Sequence, residues 1–147
     1  MTSKLIQDGQ EKTFALVFDA GEEVVAGLLQ FAKDHQLSGA HLTAIGAFER
    51  VTLGFFDVAK RDYETMAIQE QVELLSLVGN IAQGDRGDPK LHAHVVVGKS
   101  DGTAHGGHLL VDADVRPTVE VVVVEASQHL RRRMRGEFGL ALLDLSS

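Results

Sequence analysis

A single α+β domain, one main helix on a mostly antiparallel sheet of about eight strands, is the fold class the sequence predicts. Three observations predict it. Only one stretch carries apolar residues at helical spacing: Val24, Val25, Leu28, Leu29 and Ala32. Much of the remainder divides into short segments rich in β-branched and aromatic residues, separated by turn residues. The length, 147 residues, is that of about one domain, and no linker, repeat or low-complexity stretch divides it.

Residues 1–12 read as an N-terminal tail, and 13–147 as the domain. Thr13 to Phe18 is a first strand by its content. Asp19 is a suitable helix N-cap, with Glu22 three residues on to complete a capping box, so the helix is expected from Gly21 to about Lys33. Leu37-Ser38-Gly39 ends it. Strands follow at Ala40 to Ile45 and Val51 to Val58. Lys60-Arg61-Asp62 turns the chain into Tyr63 to Ile68, and Gln71 to Ile81 comes next. Gln83 to Pro89 is a polar loop full of turn residues. Leu91 to Val97 and Thr103 to Val111 form a hairpin about Ser100-Asp101-Gly102. Val119 to Val124 holds four successive valines and reads as a central strand covered on both faces. Phe138 to Leu145 is the last apolar strand.

The chain has no cysteine, which leaves histidine and carboxylate side chains as its strong metal ligands. That composition fits a reducing, cytoplasmic setting. The first ten residues lack the apolar core of a signal peptide, and no apolar run approaches the roughly 20 residues that span a bilayer. A net charge of −7 repels nucleic acid on average, so any DNA contact is expected to be local and weak.

Chemistry concentrates in Leu91-His92-Ala93-His94 and His105-Gly106-Gly107-His108. His92 and His94 are two apart on a strand, so both side chains leave one face. With a three-residue loop in which Gly102 is left-handed, counting outward pairs Lys99 with Thr103 and therefore His94 with His108. Directly opposed residues have Cβ atoms about 5 Å apart, close enough for two imidazoles to share an ion held about 2.1 Å from each nitrogen. His92, His94 and His108 are thus the expected metal ligands, zinc the first choice, with a fourth position left for a small ligand. A two-residue turn at Asp101-Gly102 would shift the register by one and put His105 in place of His108. Glu73 and Glu120, charged residues inside apolar strands, are candidates for a fourth ligand or an acceptor behind a histidine; Arg116 is a candidate ion partner for them. His35, His41 and His129 each stand alone.

The same hairpin, Leu-His-Ala-His-Val-Val-Val-Gly-Lys-Ser-Asp-Gly-Thr-Ala-His-Gly-Gly-His-Leu from Leu91 to Leu109, resembles the signature of the plants-and-prokaryotes conserved (PPC) domain. Gly39 to Ala47, Val72 to Asn80 and Thr118 to Val123 resemble further segments of that family, so the likeness runs from about Thr13 to Leu145. It implies an α+β domain that assembles as a homotrimer. It also implies DNA-associated assembly and regulation, the role of the plant members, where the domain follows AT-hook motifs. No Arg-Gly-Arg-Pro AT-hook occurs here. The fold implied is also similar to that of acetolactate decarboxylase, a zinc enzyme that uses three histidines. Three functions therefore stand open: a regulatory assembly module with a histidine metal site, a metal-dependent enzyme acting on a small carbonyl or ester, or a plain metal-binding or ligand-sensing trimer. Arg131-Arg132-Arg133-Met134-Arg135 is the only dense basic run, either a phosphate contact or a salt-bridged, solvated face.

Overall fold

A computed structural model describes residues 1–146. In chain order the elements are β1 (Thr2–Gln7), β2 (Thr13–Asp19), α1 (Val24–Asp34), β3 (Gly39–Asp57), β4 (Asp62–Ile68), β5 (Val72–Gln83), β6 (Pro89–Gly98), β7 (Ala104–Leu109), β8 (Asp114–Glu125), β9 (Arg131–Arg135) and β10 (Leu140–Asp144). One helix over a mostly antiparallel sheet is the expected class. The sheet has ten strands where the sequence suggests about eight.

The differences have physical causes. Residues 2–7, read as tail, form an edge strand that pairs antiparallel with β2. All six are exposed, so no buried alternation marks them in the sequence. The strands expected at Ala40 to Ile45 and Val51 to Val58 are one 19-residue strand, β3. Register shifts at Gly46 let it bend and change partners, pairing β5 and β8 in its first half and β4 in its second. Gly46 sits at φ +150, and a Cβ there would lie 2.3 Å from the Thr118 carbonyl, so the crossing needs glycine. The helix starts later than the capping box suggests. Glu23 is the N-cap and its side chain accepts from the Ala26 N–H, while the Glu22 carboxylate accepts from the Asp19 N–H.

Alternation divides the sheet into two faces. Inward residues from β2, β8, β3, β5 and β6, among them Phe14, Leu16, Phe18, Leu42, Val121 and Val95, join Leu28 and Phe31 of α1 in one core. The outward face carries no helix. Val122 is 41% exposed, so the four-valine strand is central but covered on one face within the chain, not on both as expected. Antiparallel pairing explains this: β8 lies between β2 and β3, and only its odd-numbered valines point at α1 and the core. A single cross-strand row runs along the outward face through Ala15, Val122, Thr43, Val78, His94 and His108. The histidines thus stand at one end of a largely apolar strip.

Candidate metal centre

The turn between β6 and β7 decides which histidines meet. Lys99 N–H donates to the Thr103 carbonyl at 2.9 Å, and Gly102 N–H donates to the Lys99 carbonyl at 3.0 Å. Gly102 is left-handed at φ +84. The Asp101 carboxylate accepts from the backbone and hydroxyl of Thr103 and fixes the turn further. This is the three-residue loop, and the register it sets pairs His94 with His108. His105 pairs with Val97, an odd number of residues away, and so faces the opposite side of the ribbon. The two-residue register is excluded.

His92, His94 and His108 converge. One ligand nitrogen from each lies within 4.8 Å of the others, and Nε2 of His92 is 3.2 Å from Nε2 of His94. Ring centroids are 5.0 Å apart for His92–His108, 5.1 Å for His92–His94 and 5.3 Å for His94–His108. An ion about 2.0–2.1 Å from each nitrogen in tetrahedral geometry requires nitrogens about 3.3 Å apart, so the triad fits with small ring adjustments. Glu73 and Glu120 are exposed and line a separate groove with Ile45 and Leu75. Glu73 lies five residues along β5 from the partner of His94, about 16 Å away by strand rise, which removes it as a fourth ligand within the chain. Glu120 pairs across strands with Val17 and Ile45 and is likewise outside the cluster. Arg116, offered as their partner, instead pairs with Glu49 at 3.2 Å.

The surroundings favour neutral imidazoles. Burial pushes His108 down to about 4, with help from His92, His94 and Arg132. His92 is also lowered, first by burial, then by Arg132 and His94. Neutral rings are the form that binds a metal. The Tyr63 ring lies 5.0 Å from that of His108, and burial raises its phenol above the usual range. Tyr63 reaches the site because β3 and β7 approach closely: a Cβ on Gly54, paired with His108, would lie 2.8 Å from Tyr63 Cδ1.

One residue of the site escapes sequence reasoning. Arg132, the second residue of the basic run, is 7% exposed. Its run is a strand, β9, paired along its length with β10; Arg132 is its one buried residue, and Arg131, Arg133, Met134 and Arg135 are exposed. Nη2 of Arg132 donates to Asn80 Oδ1 at 2.7 Å and Nη1 to the Ala141 carbonyl at 3.2 Å. Neither residue type nor spacing singles Arg132 out from its neighbours, so the sequence holds no signal for it. Arg133 pairs with Asp144 at 3.0 Å, so part of the run is salt-bridged. Of the lone histidines, His35 packs on Phe31 and Phe14 below the helix, with centroids 4.2 and 4.9 Å away, while His41 and His129 are exposed.

Comparison with known proteins bears on the family and the fold. The model of the Plants and Prokaryotes Conserved (PCC) domain matches residues 6–127. A candidate DNA-binding protein of Bacteroides thetaiotaomicron is similar at 28% identity over 99% of both chains, with a TM-score of 0.86. A metal-containing protein of Archaeoglobus fulgidus is similar at 31% identity over 97% of both chains, with a TM-score of 0.82. The α-acetolactate decarboxylase of Bacillus subtilis shares the fold alone, at 15% identity over 87% of this chain and 58% of that one, with a TM-score of 0.53. Among curated proteins, the bifunctional protein GlmU of a Synechococcus strain is 26% identical over 122 residues, 82% of this chain; the chain spans 18% of that protein's length.

Proposed function

The chain belongs to the Plants and Prokaryotes Conserved domain family, and from that premise we propose that it is a metal-carrying assembly and regulatory module of that family. It works as a cytoplasmic homotrimer in which His92, His94 and His108 of each chain hold one divalent ion, zinc first. The convergence of three imidazole nitrogens within 4.8 Å of one another carries this reading. Support comes from the lowered proton affinity of His92 and His108, from the fit to tetrahedral spacing, and from a relative that contains metal. The exposed apolar strip beside the histidines, with Ile45 59% and Val78 60% exposed, supports assembly. Any contact with DNA is weak: a relative is a candidate DNA-binding protein, but this chain carries −7, and in its basic run Arg132 is buried and Arg133 is paired with Asp144.

A second reading is a metal-dependent enzyme on a small carbonyl or ester substrate, and the cleft next to His92 and His108 favours it. When bound, the ion supplies Lewis acidity. The protein's own residues shape what reaches it: Tyr63 covers one side of His108, and Arg132 sets a positive charge nearby.

Calorimetric titration of zinc into chelator-stripped, untagged protein tests the metal site. We expect one site per chain in the parent and its loss in His94→Ala. A flat titration of the folded parent would overturn it. A salt-dependent DNA binding curve then separates the roles. Nanomolar binding to a defined duplex near 150 mM salt would contradict weak DNA contact, for which about 10⁻⁴ to 10⁻⁶ M is expected.

A further inference from the structure

Arg132 raises a question the metal site leaves open. A guanidinium has five N–H donors. Two hydrogen bonds are made, to Asn80 and Ala141, and Nε, fully buried, has no partner. No carboxylate among the described residues pairs with Arg132, although Arg133 next to it has Asp144. A buried cation without an anion is costly, and a buried donor left unmade adds to that cost. The same guanidinium lines a cleft of about 220 Å³ together with Tyr63, His92, His108, Leu140 and Leu142. A divalent ion on the histidines would bring the local charge to +3, since neutral imidazoles contribute none. Among the described residues no carboxylate pairs with Arg132 or joins the triad; Glu73 and Glu120 lie in another groove.

We propose that this cleft is a binding site for a small organic carboxylate, held at its charged end by Arg132 and along its short apolar chain by Leu140 and Leu142, next to the histidine triad. The planar fork of a guanidinium matches a carboxylate, which supplies the missing charge to the edge of Arg132 that lines the cleft. Leu140 and Leu142 favour a short alkyl chain, while Lys90, which also lines the cleft, is already paired with Asp88 at 2.7 Å. The inference rests on the metal-site reading for the +3 charge, but the guanidinium of Arg132, lining the cleft with no carboxylate partner among the described residues, stands without the ion. It deepens that reading by naming the class of molecule that belongs at the site.

Tyr63 makes the test direct. It is the only tyrosine, and the chain has no tryptophan, so intrinsic fluorescence reports on the cleft itself. Propionate and its neutral isostere propionamide are titrated into full-length protein, both zinc-loaded and chelator-stripped, with zinc per chain measured in parallel. Propionate should change Tyr63 emission saturably, more tightly with zinc, while propionamide leaves it unchanged. Arg132→Lys, which keeps the charge and loses the fork, should weaken propionate at least about tenfold, the scale of a hydrogen bond to a charged group. Equal responses to propionate and propionamide, or none to either, overturn the proposal on the parent protein alone. So does a folded Arg132→Lys variant that binds propionate like the parent. Zinc stoichiometry near zero with propionate still preferred in the stripped protein would sink the metal reading and leave the carboxylate site standing.

Discussion

His108 concentrates the electrostatics of the site. Its ring lies 5.0 Å from both His92 and Tyr63, and burial is the largest cause of its lowered proton affinity. The sign of its effect on stability follows from linkage. In the unfolded chain the ring protonates near 6.5, in the folded chain near 4, so between these values the unfolded state holds more protons. Stability from His108 is therefore complete above about 6.5 and declines as pH falls through the window toward 4. Metal-free His108→Gln should show a shallower loss of melting temperature between pH 6.5 and 4 than the parent. Ring-proton NMR of the metal-free parent should place His108 near 4; a midpoint near 6.5 would show that the ring is solvated. His92 and His94 as one-face neighbours were legible from spacing alone. Arg132 was not, because nothing in five residues of nearly uniform charge distinguishes the single one that the fold buries.

At the scale of elements, the β6–β7 turn and the seat of α1 carry the argument. Gly102 at φ +84 fixes the histidine register, and the three-residue turn was readable because Ser-Asp-Gly between two apolar runs has few other solutions. Gly102→Ala should cost about 1–2 kcal/mol, the penalty of a left-handed conformation with a Cβ, measured by urea unfolding. An unchanged midpoint would show that the turn is not held left-handed. Gly27 gives a sharper sign test. Glycine to alanine inside a helix ordinarily stabilises by about 0.5–1 kcal/mol. Here the new Cβ would stand 2.4 Å from Cε1 of Phe18, whose ring is fully buried. We expect Gly27→Ala to destabilise by about 1–3 kcal/mol, as overpacking does; a gain would mean α1 can lift from β2 at little cost. Reading the elements failed where exposure erased the pattern. β1 is wholly exposed, and β3 bends at Gly46 where a local reading sees two strands.

The whole molecule leaves one sheet face uncovered. Val17, Ile45, Leu75, Val78, Val96 and Val122 are each at least 40% exposed on it, and the row that contains Val78 and Val122 ends at His94 and His108. Such a strip is expected to be covered by further copies of the chain, which ties assembly to the site's edge. Light scattering should give about three times the 15.9 kDa chain mass, and Val78→Glu together with Val122→Glu should shift it toward the monomer. A monomeric parent would refute the trimer. The central claim, one ion per chain on three named histidines, is tested most directly by elemental analysis of untagged protein after zinc exposure and dialysis. The account predicts close to one zinc per chain in the parent and in His105→Ala, and close to zero in His92→Ala, His94→Ala and His108→Ala. A zinc-free parent, or loss of zinc in His105→Ala but not in His108→Ala, would contradict it.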